Sequence, residues 1–260
     1  MQSKSFHPPQ RTLMGPGPSD VYPRILEAMS RPTIGHLDPV FVAMMDEMKE
    51  LLRYAFQTRN ELTMPVSAPG SAGMETAFVN LVEPGDTVVV CQNGVFGGRM
   101  KENVERAGGT AVMVEDAWGE PVDPHKAEAA LKKHPETKVL AFVHAETSTG
   151  AQSDAKTLAE LARRHDCLSI VDTVTSLGGT PLLVDDWGLD AVYSGTQKCL
   201  SCVPGLIVGC AGVFANIEGL ICRVRSHPFC RIERPCRLHW ESSPRRRSRV
   251  SMLLIGSAFP

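Results

Sequence analysis

Apolar positions along the chain follow two periods. Between Pro39 and Phe56 the residues Phe41, Met44, Met45, Met48, Leu51 and Leu52 recur at helical spacing, which predicts an amphipathic helix. The methionines in it read as core filler. A second helix is expected to open at Ser71, run through Glu75, Ala77, Phe78, Leu81 and Val82, and end at Pro84-Gly85. Beyond it the pattern alternates. Continuous apolar runs at Thr87–Cys91, Ala111–Val114, Val139–Val143 and Leu168–Val171 are separated by helical stretches around Gly98–Ala107, Pro124–Lys133 and Asp154–His165, and a further short run follows at Ala191-Val192-Tyr193. Apolar strands between amphipathic helices predict an α/β fold with a mostly parallel sheet covered by helices on both faces. A ligand of such a sheet belongs outside the carboxyl ends of the strands.

Composition narrows the class without naming a chemistry. The 260 residues allow one large domain, or one and a half, with a substantial apolar core. Twenty-seven basic against 29 acidic residues give no general sign of a nucleic-acid partner. No apolar stretch is long enough to cross a bilayer, so no membrane partner is expected. The start, Met1 to Pro9, lacks the apolar segment of a secretory signal, and the body is expected in the cytoplasm.

The end of the chain has a different character. Residues 207–260 hold nine arginines, three glutamates and no lysine or aspartate, a formal +6, which leaves −8 on the 206 residues before them. Four of the eight cysteines lie there, at Cys210, Cys222, Cys230 and Cys236. Cys222, Cys230 and Cys236 with His227 and His239 lack the paired C-x2-C spacing of a zinc site, and no metal is expected. The cluster Arg245-Arg246-Arg247 could touch nucleic acid or anionic lipid, but it stands without interleaved aromatics. Neither period survives from Arg223 to Arg249, so this tail is expected to be poorly ordered.

Two residues at predicted strand ends carry candidate chemistry. Lys198 follows the run ending at Tyr193, and Asp172 closes the run ending at Val171. A lysine amine can bond covalently to an aldehyde, and a carboxylate can keep a ring nitrogen protonated. Taken alone, the lysine also reads as a solvated strand end and the aspartate as a helix cap. Their surroundings are more specific: Gly15-Pro16-Gly17-Pro18-Ser19, Ser71-Ala72-Gly73-Met74-Glu75, Glu83-Pro84-Gly85-Asp86, Asn93-Gly94-Val95-Phe96-Gly97, Glu146-Thr147-Ser148-Thr149-Gly150, Val171 through Gly179, and Tyr193-Ser194-Gly195-Thr196-Gln197-Lys198. In this order, from about Met14 to Leu206, they resemble the class V pyridoxal phosphate aminotransferases, within them the alanine/serine-glyoxylate (serine-pyruvate) branch.

That resemblance implies the large domain of the type I aminotransferase fold: an N-terminal arm over 1–20, a cofactor-binding domain over 21–206, and an atypical tail over 207–260. It implies that the cofactor is pyridoxal 5'-phosphate. Ser71, Ala72 and Gly73, opening a helix, would hold the phosphate with backbone N–H groups, helped by Gln197. Phe96 would stack on the pyridine ring, with Val174 a further cofactor contact and Ser148 near the 3-hydroxyl. Asp172 would hold the ring nitrogen protonated. Lys198 would carry the cofactor, then act as general base in ping-pong transamination between a small amino acid, alanine or serine, and glyoxylate or pyruvate. A cysteine desulfurase of the same fold would carry histidine beside the lysine; here the neighbour is Gln197, and Gly178-Gly179-Thr180-Pro181 is of the glyoxylate type.

The family chain continues well beyond this length and there supplies a small domain, an arginine for the substrate carboxylate and contacts to the second subunit of a homodimer. None can be assigned here, and the expectation is a change of frame or truncation near Gly205-Leu206. The alternative function is therefore a catalytically incomplete fragment that binds cofactor weakly or not at all, or a related class V lyase. His36, His144 and Trp118 take no role beyond packing or a local hydrogen bond.

Overall fold

A computed structural model describes residues 7–211. Residues 7–22 form neither helix nor strand. Helix α1 (Pro23–Met29) follows, opened by a proline whose fixed φ suits the first helical position, and none of its residues is buried. Helix α2 (Pro39–Phe56) has the predicted bounds. Asp38 caps it by accepting from Val40 N–H at 2.8 Å, and Gln57 ends it in the left-handed conformation. The stripe of α2 is less buried than its spacing suggests: Leu52 and Phe56 are buried, Met48 packs against the core from its edge, and Met44 and Leu51 are exposed. Met44 is thus not the core filler expected.

Strand β1 (Thr63–Val66) leads into helix α3 (Gly70–Leu81), which starts one residue before Ser71 with Pro69 at its N-cap and no side-chain cap. Then come β2 (Thr87–Gln92), α4 (Val95–Arg106), β3 (Thr110–Glu115), α5 (Pro124–Lys133), β4 (Thr137–Val143), α6 (Ala155–Arg164), β5 (Leu168–Asp172), the short α7 (Val184–Trp187), β6 (Ala191–Gly195) and β7 (Ile207–Ala211). Every predicted run is a strand and every predicted helical stretch a helix, each within a few residues of its expected bounds. Helices α1 and α7 and strands β1 and β7 lie outside those expectations.

The sheet has the order β1-β7-β6-β5-β4-β2-β3. From β3 to β6 all neighbours are parallel, joined through helices, whereas β7 runs antiparallel to both β6 and β1. Both faces are covered, which accounts for the unbroken apolar runs. Val89 and Cys91 of β2, Leu140 and Phe142 of β4 and Val171 of β5 pack with Phe56, Leu131 and Leu158 of α2, α5 and α6. Val88, Val90, Val139, Ala141 and Ile170 point the other way, onto Met74 and Phe78 of α3 and Met100 and Val104 of α4.

One expected boundary moves. The tail was expected to begin at 207, but Ile207–Ala211 form β7, hydrogen-bonded on both sides; Ile207, Val208 and Cys210 are buried. Cys222, Cys230, Cys236, His227, His239 and the 245–247 arginines lie outside the described residues. None of the described helices is long and apolar enough to cross a membrane.

Candidate active site

Strands β4, β5 and β6 end side by side, and the residues beyond their carboxyl ends form one wall. Asp172, the last residue of β5, is 3 % exposed. Its Oδ1 accepts from Val174 N–H and its Oδ2 from Tyr193 O–H, both at 2.9 Å. Tyr193 stands opposite it in the parallel register of β5 and β6. Burial pushes Asp172 up to about 6 against the lowering by these two donors, and the Glu146 charge adds to the rise. Burial, then the Asp172 charge, holds the Tyr193 proton well above the ordinary phenol range. Both groups that bond the carboxylate are uncharged.

Lys198 sits in a turn after β6. Thr196 stitches that turn, its hydroxyl donating to Val203 O at 2.7 Å and Leu206 O at 3.2 Å. The lysine side chain meets the N-terminal arm: Nζ donates to Pro16 O at 2.5 Å, and Ser19 N–H donates to Gln197 O at 3.3 Å. The contact requires a glycine at position 17, whose φ is +116° and where a Cβ would lie 2.6 Å from Lys198 Cδ. Partial burial lowers the Lys198 pKa below the ordinary lysine range, with the neighbouring Cys199 acting in the opposite sense. Gln197 is half-buried and folds back toward Gly195.

The amides of Gly70 and Ser71 head α3, while Ala72 N–H donates to Pro69 O at 2.8 Å. Gly73 lies deeper in the helix, and the close approach it permits is to Ile207 of β7, 3.3 Å from where its Cβ would be. Val174 links this helix start to Asp172, since a Cβ on Gly70 would lie 3.4 Å from Val174 Cγ2.

The start of α4 is capped from the loop after β4. Ser148 Oγ accepts from Val95 N–H at 3.0 Å, and the buried Glu146 accepts from Phe96 N–H at 3.2 Å through Oε2. Glu146 Oε1 accepts from both Ser148 N–H at 3.0 Å and Ser148 O–H at 2.7 Å. One turn on, Arg99 places its Cζ 5.1 Å from the centroid of the half-buried Phe96 ring, and its Nη1 donates to Ser71 Oγ at 3.4 Å.

The expected residues therefore fall into linked groups. Asp172 joins Val174, which joins the head of α3; Ser71 joins Arg99 and Phe96; Phe96 joins Ser148 through Glu146. Lys198 bonds to the arm rather than to any of these. Glu146, Tyr193, Gly70 and Arg99 were given no role from sequence. Arg99 was within reach, standing three residues after Phe96 on one helix face; the pairing of Tyr193 with Asp172 depends on strand register, which short apolar runs leave open. His144 is buried, its Nδ1 3.0 Å from Ser176 Oγ and its ring edge-on to Trp187, and burial lowers its pKa. His36 and Trp118 are exposed.

Known proteins are similar to this chain in sequence and fold. A family model, Aminotransferase class-V, matches residues 19–208. The alanine–glyoxylate aminotransferase of Drosophila melanogaster is 43% identical over 204 residues, 78% of this chain and 52% of that protein. The (S)-ureidoglycine–glyoxylate transaminase of Bacillus subtilis is 42% identical over 198 residues, 76% of this chain and 47% of that protein. The crystal structure of an alanine–glyoxylate aminotransferase from Nostoc sp. superposes with a TM-score of 0.80 at 42% identity, covering 88% of this chain and 59% of that one. The chain spans about half the length of the curated relatives it matches.

Proposed function

The chain belongs to the class V aminotransferases, a family of pyridoxal phosphate enzymes, and from that premise we propose that it moves an amino group between a small amino acid, alanine or serine, and glyoxylate or pyruvate. Asp172 carries the reading. A carboxylate sunk at the end of a central parallel strand, bonded by two neutral donors, is short of a positive charge, and a protonated pyridine nitrogen would supply it. The residues around it suit the rest of the cofactor. Phe96 and Val174 would offer apolar contacts to its ring, and Ser148 Oγ, whose own proton goes to Glu146, would serve the 3-hydroxyl as an acceptor. Ser71 and Gly70 at the head of α3, with Gln197, would hold the phosphate, and Ala72 and Gly73 form the helical turn that presents them.

When bound, the cofactor supplies an electron sink for the substrate α-carbon. Lys198 Nζ, now on Pro16 O, would have to leave that carbonyl to meet the cofactor aldehyde, and as a free amine it would be the base that holds and moves the substrate α-proton. Partial burial favours the neutral amine this needs. A second copy of the chain is the partner proposed for the apolar side chains exposed on the arm, α1 and α2, among them Met14, Met29 and Tyr54.

The test is the visible spectrum of the purified chain with pyridoxal phosphate, beside a Lys198→Ala variant, before and after L-alanine or L-serine and then glyoxylate. A lysine-dependent band that the amino acid removes and glyoxylate restores is the expected result. A band that the amino acids leave untouched would reduce the chain to cofactor capture, and no lysine-dependent band would overturn the reading.

A further inference from the structure

We propose that Arg99 is a further binding residue for pyridoxal phosphate, pairing its guanidinium with the phosphate at the head of α3; the inference rests on the cofactor reading above. Arg99 is exposed and makes two side-chain contacts. Its guanidinium lies over the Phe96 ring, 5.1 Å from Cζ to centroid, and Nη1 reaches Ser71 Oγ at 3.4 Å. That position is electrostatically odd. The first turn of a helix is its positive end, and a cation directed at the start of α3 is repelled there unless an anion lies between them. Among the described residues no carboxylate pairs with Arg99; its partners are a ring face and a hydroxyl. A phosphate monoester bound at Gly70 and Ser71 would turn this repulsion into attraction, and a guanidinium can meet two of its oxygens at once.

The same contact ties two parts of the cofactor. Phe96 is the proposed ring contact and Ser71 the proposed phosphate contact, and Arg99 touches both side chains. It is well placed to set the spacing between ring and phosphate subsites. A substrate carboxylate is the other anion the active site would receive, and pyridoxal, which lacks the phosphate, separates the two.

The experiment titrates the apo chain with pyridoxal phosphate and, separately, with pyridoxal, reading affinity from absorbance without any turnover. Arg99→Gln should weaken pyridoxal phosphate about ten- to a hundredfold, the range for a hydrogen bond to a charged group, and leave pyridoxal unchanged. Arg99→Lys should recover part of the loss. Inorganic phosphate should raise the melting temperature of the parent more than that of Arg99→Gln. Equal affinities for pyridoxal phosphate in parent and variant would overturn the proposal, as would equal losses for both ligands, since Arg99 would then act only through the Phe96 ring. A parent chain that shows the phosphate effect but no lysine-dependent band would sink the cofactor reading and leave an anion site; a parent that binds neither ligand nor phosphate would sink both.

Discussion

At the scale of single residues, the most telling group is a carboxylate whose burial works against the fold. Asp172 titrates near 3.8 when unfolded and at about 6 when folded, so the folded chain holds the proton more tightly. Between those values stability falls as pH rises, and above about 6 the loss is complete, on the order of 3 kcal/mol at roughly 1.4 kcal/mol per unit. Asp172→Asn keeps an acceptor for Val174 N–H and removes the charge. In urea denaturation of the cofactor-free chain, the asparagine variant should match the parent near pH 4 and exceed it by about 2–3 kcal/mol at pH 7.5. Added pyridoxal phosphate should reverse the order at pH 7.5, because the proposed ring nitrogen brings the countercharge to aspartate alone. A variant less stable than the parent at pH 7.5 without cofactor would show that the Tyr193 bond outweighs the burial. Lys198 and Asp172 could be picked out in the sequence because a strand end announces itself as the close of an apolar run. Tyr193 could not, because its value lies in which residue of the next strand stands beside it.

At the scale of elements, the start of α4 holds three glycines, of which two are demanded by space and one is not. Gly94 is extended, with φ at 177°, so its need is spatial: a Cβ would lie 2.4 Å from Glu146 Cγ and 2.6 Å from Ser148 Oγ. Gly97 sits where α4 crosses the end of β2, and a Cβ there would lie 2.7 Å from Gln92 Cα and 2.8 Å from Cys91 O. Gly98 has ordinary room, its nearest neighbour being Gln92 Nε2 at 3.5 Å. Alanine at 94 or 97 should therefore cost about 1–3 kcal/mol by overpacking, whereas Gly98→Ala should stabilise by about 0.5–1 kcal/mol through helix propensity. Thermal melts of the three variants check the order, and an equal loss at all three positions would mean that α4 tolerates no added methyl on any side. Gly94→Ala should also weaken pyridoxal phosphate, since it parts Glu146 from the amide of Phe96. The sequence marked the whole Asn93–Gly97 segment as a turn into a helix, yet a glycine's reason is a through-space contact, and Glu146 lies fifty residues on. Helix α3 illustrates the same limit: Ser71 reads as a cap by type, but Pro69 takes the cap position and the serine side chain is left to meet Arg99.

At the scale of the whole sheet, the parallel centre was legible and its antiparallel side was not. Four buried strands alternating with helices leave a strong pattern, while β1 is four residues with a proline inside it and β7, though apolar, follows β6 with no helix between them to mark it. β7 is nevertheless what closes the site. It inserts between β6 and β1, ends the turn that carries Lys198, and sets Ile207 against Gly73 of α3. The start of β7 is thus tied by its backbone to the lysine turn, through Leu206 O and the pairing of Ile207 with Gly195, and by the Ile207 side chain to the helix that heads the proposed phosphate site. Ile207→Ala should cost about 2–5 kcal/mol as a core truncation and also weaken pyridoxal phosphate, because α3 loses its seat. Leu158→Ala supplies the comparison: that leucine is fully buried on α6, in the core cluster on the opposite face, so it should cost a similar amount of stability and leave cofactor affinity unchanged where both variants are folded. Affinity measured well below both melting temperatures decides the matter. If the two variants weaken the cofactor alike, the site depends on overall stability; if Ile207→Ala alone does so, β7 is a working part of the site.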